Sequence, residues 1–328
     1  MSSRPSPMLN DGGHAKIAVV GVGYVGATTA YTLLLRGLAS ELVLVDVESA
    51  RAEGEALDLS HAAPLVHPVR IRTGGLEDCA GARFTIIAAG VAQAPGESRL
   101  DLLQRNTSVL RDLVPRIARA NPSGILVVAT NPVDVLSFVA LQLSGLPASR
   151  VIGSGTIVDT ARFRHRLAQH YEVDPRSVHA LIIGEHGDSA VPVWSLANIA
   201  GMRLEQFCVA NGFEYDPQAM EGIFLDARNA AYDIITRKGA TAYAVAAGIA
   251  RIVEAVLRDE RSVLAVSTLV PAGHGLPRVY LSLPCVIGGD GVERVLRLEL
   301  STEEMDGLRH SAAVLESSIA ALGLELPE

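Results

Sequence analysis

Residues 16–46 read KIAVVGVGYVGATTAYTLLLRGLASELVLVD, and this stretch decides the fold. An apolar run ends in glycines spaced G-x-G-x-x-G, at Gly21, Gly23 and Gly26, and a helical pattern follows them directly. A second apolar run ends at Asp46. Near-continuous apolar strands are typical of a parallel sheet that is covered on both faces. Because strands and helices alternate to about residue 150, the sequence predicts an α/β fold with a doubly wound parallel sheet of the Rossmann type.

The glycine-rich segment has the context of a dinucleotide site, since it follows a strand and opens a helix. Such glycines let the backbone approach a pyrophosphate, which the N–H groups of the helix N-terminus then bind. Asp46 stands twenty residues beyond Gly26, where a carboxylate accepts both ribose hydroxyls and repels a 2′-phosphate. A glycine-rich turn with an incidental aspartate is the alternative. We expect NAD rather than NADP, bound by Gly21, Val22, Gly23, Tyr24, Val25, Gly26 and Asp46.

The remaining composition fits a globular protein with two domains. Residues 1–14 are polar and predict a disordered tail, residues 15–153 the NAD-binding domain, and residues 154–328 a C-terminal α+β substrate domain. The net charge of −8 disfavours nucleic acid as a partner. The three cysteines are widely spaced, which favours reduced core residues over a metal site. We found neither a secretory signal nor a membrane span, and we expect a cytoplasmic protein without a metal.

Three further segments carry groups suited to the reduction of a carbonyl. That reaction needs a proton donor, a cation near the carbonyl oxygen and, for an acid substrate, an anchor for the carboxylate. The segment 184–189, GEHGDS, places a histidine between glycines, and DTAR at 159–162 places an aspartate and an arginine on one helix face. The segment 93–99, QAPGESR, has the composition of a mobile lid. Each residue taken singly also has a structural explanation, such as a surface ion pair.

Together these segments resemble the lactate/malate dehydrogenase family, and within it the lactate-specific bacterial branch. The resemblance runs from about residue 16 to the C-terminus. It is carried by the motifs GVGYVG, AGVAQAPGESRLDL, TNPVD, GSGTIVDTARFR, IIGEHGDS and KGAT.

The resemblance implies a role for each matching residue. His186 would donate and accept the proton, Asp159 would orient His186 and stabilise its charged form, and Arg99 would polarise the carbonyl. Arg162 would hold the substrate carboxylate in a bidentate fork that lysine could not match. The further contacts it implies are Asn131 to the substrate and the nicotinamide ribose, Ser154 to the nicotinamide carboxamide, and Gly90 to the cofactor.

The same resemblance separates two substrates. Malate-specific relatives carry arginine where this chain has Gln93, and usually alanine where it has Thr241. A second substrate carboxylate beside these neutral side chains would lack a counter-charge, which costs several kcal/mol. We therefore expect pyruvate and L-lactate, with oxaloacetate and malate as the alternative. Ala94 departs from many bacterial relatives, which have lysine there.

A protein of another class, which binds NAD without catalysis, should have lost one of the residues Arg99, Asp159, Arg162 and His186, yet all are present. A nucleotide kinase is excluded by the lack of a GxxxxGK[ST] loop. The resemblance further implies a homotetramer, or an equilibrium between dimer and tetramer. It also matches Arg164 and His179 to the residues that bind fructose 1,6-bisphosphate at a subunit interface, so we expect activation by that effector.

Overall fold

The computed structural model describes residues 15–91, 96 and 98–327. The predicted tail, Gln93 and Ala94 lie outside these residues, and the side chain of Arg99 is not described. The first half of the chain forms the predicted parallel sheet, in the order β6-β5-β4-β1-β2-β3. The strands are β1 Ala15–Val20, β2 Ala39–Val45, β3 Arg70–Thr73, β4 Phe84–Ile87, β5 Ile125–Val128 and β6 Val151–Gly153.

Four helices connect these strands, and apolar side chains hold them against the sheet. They are α1 Tyr24–Leu35, α2 Ser49–Ala62, α3 Arg99–Ala120 and α4 Val133–Ser144. Helices α1 and α2 pack with one buried cluster, and α3 and α4 pack with the other. The central strands β4 and β5 are buried on both faces, as their apolar runs predict, while the edge strand β3 is partly exposed.

The second half contains five helices and eight strands among the described residues. The helices are α5 Ile157–His170, α6 Leu204–Asn211, α7 Pro217–Lys238, α8 Tyr243–Leu257 and α9 Thr302–Ala320. The strands are β7 Val178–His179, β8 Ile182–Ile183, β9 Val191–Pro192, β10 Asn198–Ile199, β11 Met202–Arg203, β12 Ser262–Leu269, β13 Tyr280–Gly288 and β14 Gly291–Val295. A third buried cluster joins α5, α6 and α7.

The last three strands extend the first sheet rather than forming one of their own. They are antiparallel to one another, as the sequence predicts, and β12 pairs with β6 through Ser267 and Gly153. Over the residues that the structure describes, the sheet therefore has nine strands. Strand β14 ends at Val295, earlier than its apolar pattern predicts.

Local signals in the second half have mixed outcomes. The sequence STEE at 301–304 has the spacing of a capping box and predicts the start of α9 there. The structure confirms it: Ser301 Oγ accepts from the N–H of Glu304, and the Glu304 carboxylate accepts from the N–H of Ser301. The apolar segment SVHALII before GEHGDS predicts one strand, but it forms the two short strands β7 and β8. The cysteines Cys79, Cys208 and Cys285 are buried and free. Over the described residues, no helix is both long and apolar enough to span a membrane.

Candidate active site

The glycine-rich loop joins β1 to α1 in a shape that leaves room for a phosphate group. Gly21 has a φ of +89°, and a Cβ there would lie within 2.4 Å of the Ala89 backbone, so only glycine fits. A Cβ on Gly26 would collide with the Gly21 carbonyl, which shows how closely the helix packs on the turn. Gly23, at the N-cap of α1, has open space beyond its Cα. These are the features that a pyrophosphate requires.

Asp46 lies at the end of β2, beside the glycine-rich loop. Its Oδ2 accepts a hydrogen bond from the N–H of Val22 at 2.8 Å, and its Oδ1 accepts one from the N–H of Glu48 at 3.0 Å. The carboxylate is only partly buried, and each oxygen keeps a lone pair for a further donor. The position therefore fits an adenosine ribose, in agreement with the prediction for NAD.

The other residues expected near the cofactor follow neighbouring strands. Gly90 follows β4, Asn131 follows β5 and Ser154 follows β6, so all lie at the carboxyl edge of the parallel sheet. Ligands of doubly wound sheets bind at this edge, where the strand order reverses between β1 and β4. Asn106 on α3 joins two of these loops, since it bonds both main-chain groups of Val91 and the carbonyl of Asn131.

Helix α5 carries Asp159 and Arg162 and is bound tightly to the strand that leads to His186. The hydroxyl of Thr160 accepts from the N–H of Ile182 at 3.0 Å, and the hydroxyl of Thr156 donates to the Ile182 carbonyl at 2.5 Å. Both threonines are buried. The start of α5 and the start of β8 are consequently held in one fixed arrangement.

The loop that carries His186 is attached to three other elements. Gly184, whose φ is +89°, exchanges two main-chain hydrogen bonds with Ser282 on β13. The N–H of Glu185 donates to Ser311 Oγ on α9 at 2.6 Å, and the N–H of His186 donates to Asp134 Oδ2 on α4 at 2.7 Å. These bonds fix the main chain from Gly184 to the N–H of His186, so the Cα from which the imidazole projects is held in place.

Asp159 contacts both His186 and Arg162, which gives the site its chemistry. Its Oδ2 lies 2.5 Å from His186 Nδ1, and its Oδ1 accepts from Arg162 at 3.1 Å. Only 6% of Asp159 is exposed. Burial raises the pKa of its carboxyl, but the charges and hydrogen bonds of its partners outweigh burial and hold that pKa below its usual value. Asp159 is therefore an anion at neutral pH.

The histidine responds to the same contacts. Burial lowers the pKa of His186, but the charge and hydrogen bond of Asp159 outweigh burial and raise that pKa to about 9. The charge of Arg162 opposes this rise. With Nδ1 directed at Asp159, Nε2 is the ring nitrogen left to face a reactant. The arrangement can hold a proton at Nε2 and release it to an oxygen atom.

A cleft of about 380 Å³ lies between α5 and α7, next to this group. Helix α5 contributes one side and α7 the other, with the lining residues Arg162, His165, Arg166, Asp226, Ala227, Ala230, Asp233, Ile234 and Arg237. The cleft is large enough for a small acid, and Arg162 connects it to Asp159 and His186, which do not line it themselves. Among the residues described here, no group of three or more histidine, cysteine or acidic side chains could hold a metal ion.

The structure brings some of the predicted site residues together and leaves others apart. His186, Asp159 and Arg162 are in contact. Thr241 lies half-buried between α7 and α8, and its side chain has no hydrogen bond to those residues in the described part of the chain. Arg99 is the first residue of α3. Arg164 points away from the cleft and donates to the Ala180 carbonyl at 2.9 Å, beside the exposed His179.

Sequence reasoning missed three residues that support the site. Asn106 had no motif to mark it, and Ser311 lies in a helix whose pattern indicates packing alone. Asp134 did have a signal, because it is the last residue of the motif TNPVD. Its contact with His186 spans 52 positions in the chain.

Comparison with known proteins places the chain in a family. A family described as lactate/malate dehydrogenase, NAD binding domain, matches residues 15–153. Its alpha/beta C-terminal domain matches residues 156–324. The chain belongs to the lactate/malate dehydrogenase family, and the cofactor of its first domain is NAD.

Relatives and solved structures cover nearly the whole chain. An L-lactate dehydrogenase of Thermus aquaticus is 52% identical over 308 residues, which are 94% of this chain and 99% of the relative. One of Moorella thermoacetica is 50% identical over 313 residues, which are 95% and 99% of the two chains. The crystal structure of a minor L-lactate dehydrogenase from Enterococcus mundtii, in a ligand-bound form, superimposes with a TM-score of 0.92 at 39% identity. That superposition covers 95% of this chain and 99% of the other.

Proposed function

We propose that the chain catalyses the NAD-dependent interconversion of pyruvate and L-lactate. The observation that carries this proposal is the buried Asp159, which contacts the histidine and the arginine at once. The first contact favours a protonated imidazole, and the second holds a guanidinium at the edge of the cleft. The proposal is supported by relatives named L-lactate dehydrogenase that are 50% and 52% identical to this chain over 95% and 94% of its length.

In this mechanism the side chains bind the substrate and move one proton. Arg162 binds the carboxylate of pyruvate with two parallel hydrogen bonds, which also fixes its orientation. When bound, NADH supplies the hydride that adds to the carbonyl carbon. His186 gives the proton at Nε2 to the carbonyl oxygen, so its ring becomes neutral as the alcohol forms. Asp159 stays ionised throughout and stabilises the charged ring before the transfer.

The choice between substrates rests on the end of the pocket away from Arg162. Gln93, which lies outside the described residues, and Thr241 are the side chains we assign to that end. Both are neutral, so the second carboxylate of oxaloacetate would lose its hydration without gaining a counter-charge. Pyruvate presents a methyl group at the same place and has no such cost. Arg99 is assigned to the carbonyl oxygen, where a cation stabilises the developing charge.

The direct test compares pyruvate and oxaloacetate as substrates of the purified chain with NADH. We expect a rapid loss of absorbance at 340 nm with pyruvate, and a kcat/KM for oxaloacetate that is lower by about a hundredfold or more. A higher kcat/KM for oxaloacetate would make the chain a malate dehydrogenase. No turnover of either acid, with NADH binding intact, would indicate an inert NAD-binding protein.

We further propose that the chain divides functionally at residue 153 and works as a cytoplasmic homotetramer. Exposed apolar side chains on helices α1, α2 and α8 support the association of subunits. Tyr31 on α1, Leu57 on α2 and Tyr243 on α8 are each about half or more exposed. Free, buried cysteines fit a reducing compartment. Sedimentation of the purified chain tests the assembly, and a monomer at micromolar concentration would contradict it.

The finer regulatory proposal is activation by fructose 1,6-bisphosphate at Arg164 and His179. Arg164 is held next to the main chain that follows His179, so the two side chains lie on one part of the surface. A doubly charged phosphate ester would neutralise such groups where two subunits meet.

A further inference from the structure

Asp134 is a second carboxylate in contact with His186. It lies in the first turn of α4, and only 2% of it is exposed. Its Oδ2 accepts the main-chain N–H of His186 at 2.7 Å. Asp159 contacts the ring of the same residue, so the histidine is bound by one carboxylate at its side chain and by another at its backbone.

The hydrogen bond alone does not explain why this residue is an aspartate. A neutral asparagine could accept the same N–H without a buried charge, whose desolvation costs several kcal/mol. Oδ1 of Asp134 accepts no hydrogen bond of normal geometry from any residue that the structure describes. Ser267 on β12 is near enough to lower the pKa of Asp134, but burial dominates and raises it to about 6. At neutral pH the group is still an anion.

The charge of Asp134 acts on His186. Its own pKa is lowered by the charge of that histidine, and the charge of Asp134 in turn raises the pKa of His186. The other charged or titratable groups around the histidine come from its own loop, from α5 and from α7. They are Glu185, Asp188, Asp159, Arg162, Arg228 and Tyr232.

We propose that Asp134 is a positioning residue for proton transfer at His186: it anchors the main chain of the histidine, and its charge favours the protonated ring. This inference rests on the proposed function, in which His186 is the proton donor. Asp134 touches neither substrate nor cofactor, and acts only through the histidine.

The experiment titrates the ring of His186 by NMR in the full-length protein with labelled histidine, assigned by comparison with His186→Asn. In Asp134→Asn the acceptor remains and the charge is lost, so we expect the pKa of His186 to fall by about half a unit or more. The pH at which the rate of pyruvate reduction falls should decrease by the same amount. Ser137→Ala is the matched control, because Ser137 is buried one turn further along α4. It should leave the titration unchanged.

The wild-type protein gives a second measurement that does not depend on the folding of a variant. The ring signal of His186 should show a small inflection near pH 6, where Asp134 takes up its proton. An unchanged titration in folded Asp134→Asn, an equal shift in Ser137→Ala, or a wild-type signal without the inflection would each overturn the inference. Failure of the proposed function looks different: pyruvate would not be reduced, while the NMR coupling of Asp134 and His186 would persist.

Discussion

The Nδ1 atom of His186 lies 2.5 Å from Oδ2 of Asp159, in an environment where little of the carboxylate reaches solvent. An ion pair at this depth is weakly screened, so the two groups set each other's protonation. Asp159 stays charged because the imidazolium and Arg162 face it, and His186 stays protonated because Asp159 faces it. The pair should therefore be visible in the pH dependence of the reaction.

Pyruvate reduction needs a protonated His186, so its rate should fall as the pH rises through about 9, the pKa of that group. Lactate oxidation needs the neutral ring and should gain rate over the same range. In Asp159→Asn the charge that raises this pKa is lost. We therefore expect the rate of pyruvate reduction to fall at a pH that is lower by about one unit or more. Profiles of kcat/KM against pH in both directions measure this. If the rate falls at the same pH in Asp159→Asn as in the wild type, Asp159 does not raise the pKa of His186.

Replacement of the histidine itself tests its role more directly. We expect His186→Asn to lower kcat for pyruvate by at least about a hundredfold, since general acid catalysis contributes about that much. NADH binding, followed by fluorescence, should be nearly unchanged because the glycine-rich loop is far along the sheet edge. His310→Asn on α9 serves as a control that leaves turnover intact. Near-normal turnover in His186→Asn would mean that another group donates the proton.

The substrate preference should respond to the residue assigned to the variable end of the pocket. Gln93→Arg supplies the counter-charge that oxaloacetate lacks, and a desolvated ion pair can shift the ratio of the two substrates by several kcal/mol. We expect kcat/KM to rise for oxaloacetate and to fall for pyruvate. Gln93→Asn, which stays neutral, is the control. If Gln93→Arg leaves the ratio of kcat/KM for oxaloacetate and pyruvate unchanged, Gln93 does not face the end of the substrate where the two acids differ.

Sequence patterns predicted those parts of the molecule that depend on near neighbours in the chain. The turn at Gly21 and the capping box of Ser301 are local, and one or two side chains determine each of them. The pairing of Asp159 with Arg162 follows from helical spacing. The placement of both beside His186 came from the resemblance to a family, because spacing says nothing about a contact between a helix and a distant loop.

Contacts between remote segments could not be predicted in this way. The pairing of β12 with β6 extends the sheet across the expected domain boundary. It could not be predicted because the apolar pattern of each strand fits many partners. The bond from His186 to Asp134, and that from Glu185 to Ser311, depend on how whole elements pack. A buried aspartate or serine has no sequence pattern that distinguishes it from one in a solvated turn.

A buried glutamate connects the two halves of the chain and should matter for stability. Glu254 on α8 is 7% exposed and pairs with Arg36 at the end of α1, with Arg258 at 2.7 Å and with Arg251 at 3.6 Å. Glu254→Gln removes the charge that all three cations share. We expect it to lower the free energy of unfolding by about 1 to 2 kcal/mol, since the arginines keep some contact with water.

Chemical denaturation of Glu254→Gln and of a matched control measures this effect. Glu48→Gln breaks a pair with Arg51 in which both side chains are largely exposed, so it should change the free energy by less than about 0.5 kcal/mol. Equal effects of the two substitutions would show that the buried cluster does not stabilise the fold.

The regulatory site makes the last prediction. Arg164 and Arg162 are two positions apart on α5, so Arg162 borders the cleft while Arg164 is directed to the surface near His179. A bisphosphate bound between subunits would stabilise the assembly, and by linkage it must lower the KM for pyruvate if the assembled state binds pyruvate more tightly. We expect fructose 1,6-bisphosphate to lower that KM severalfold at low protein concentration and to increase the sedimentation coefficient. Arg164→Gln should lose both responses, while Arg309→Gln, an exposed arginine on α9, should keep them. A wild-type protein whose KM and sedimentation ignore the effector would show that these cations form an ordinary solvated surface.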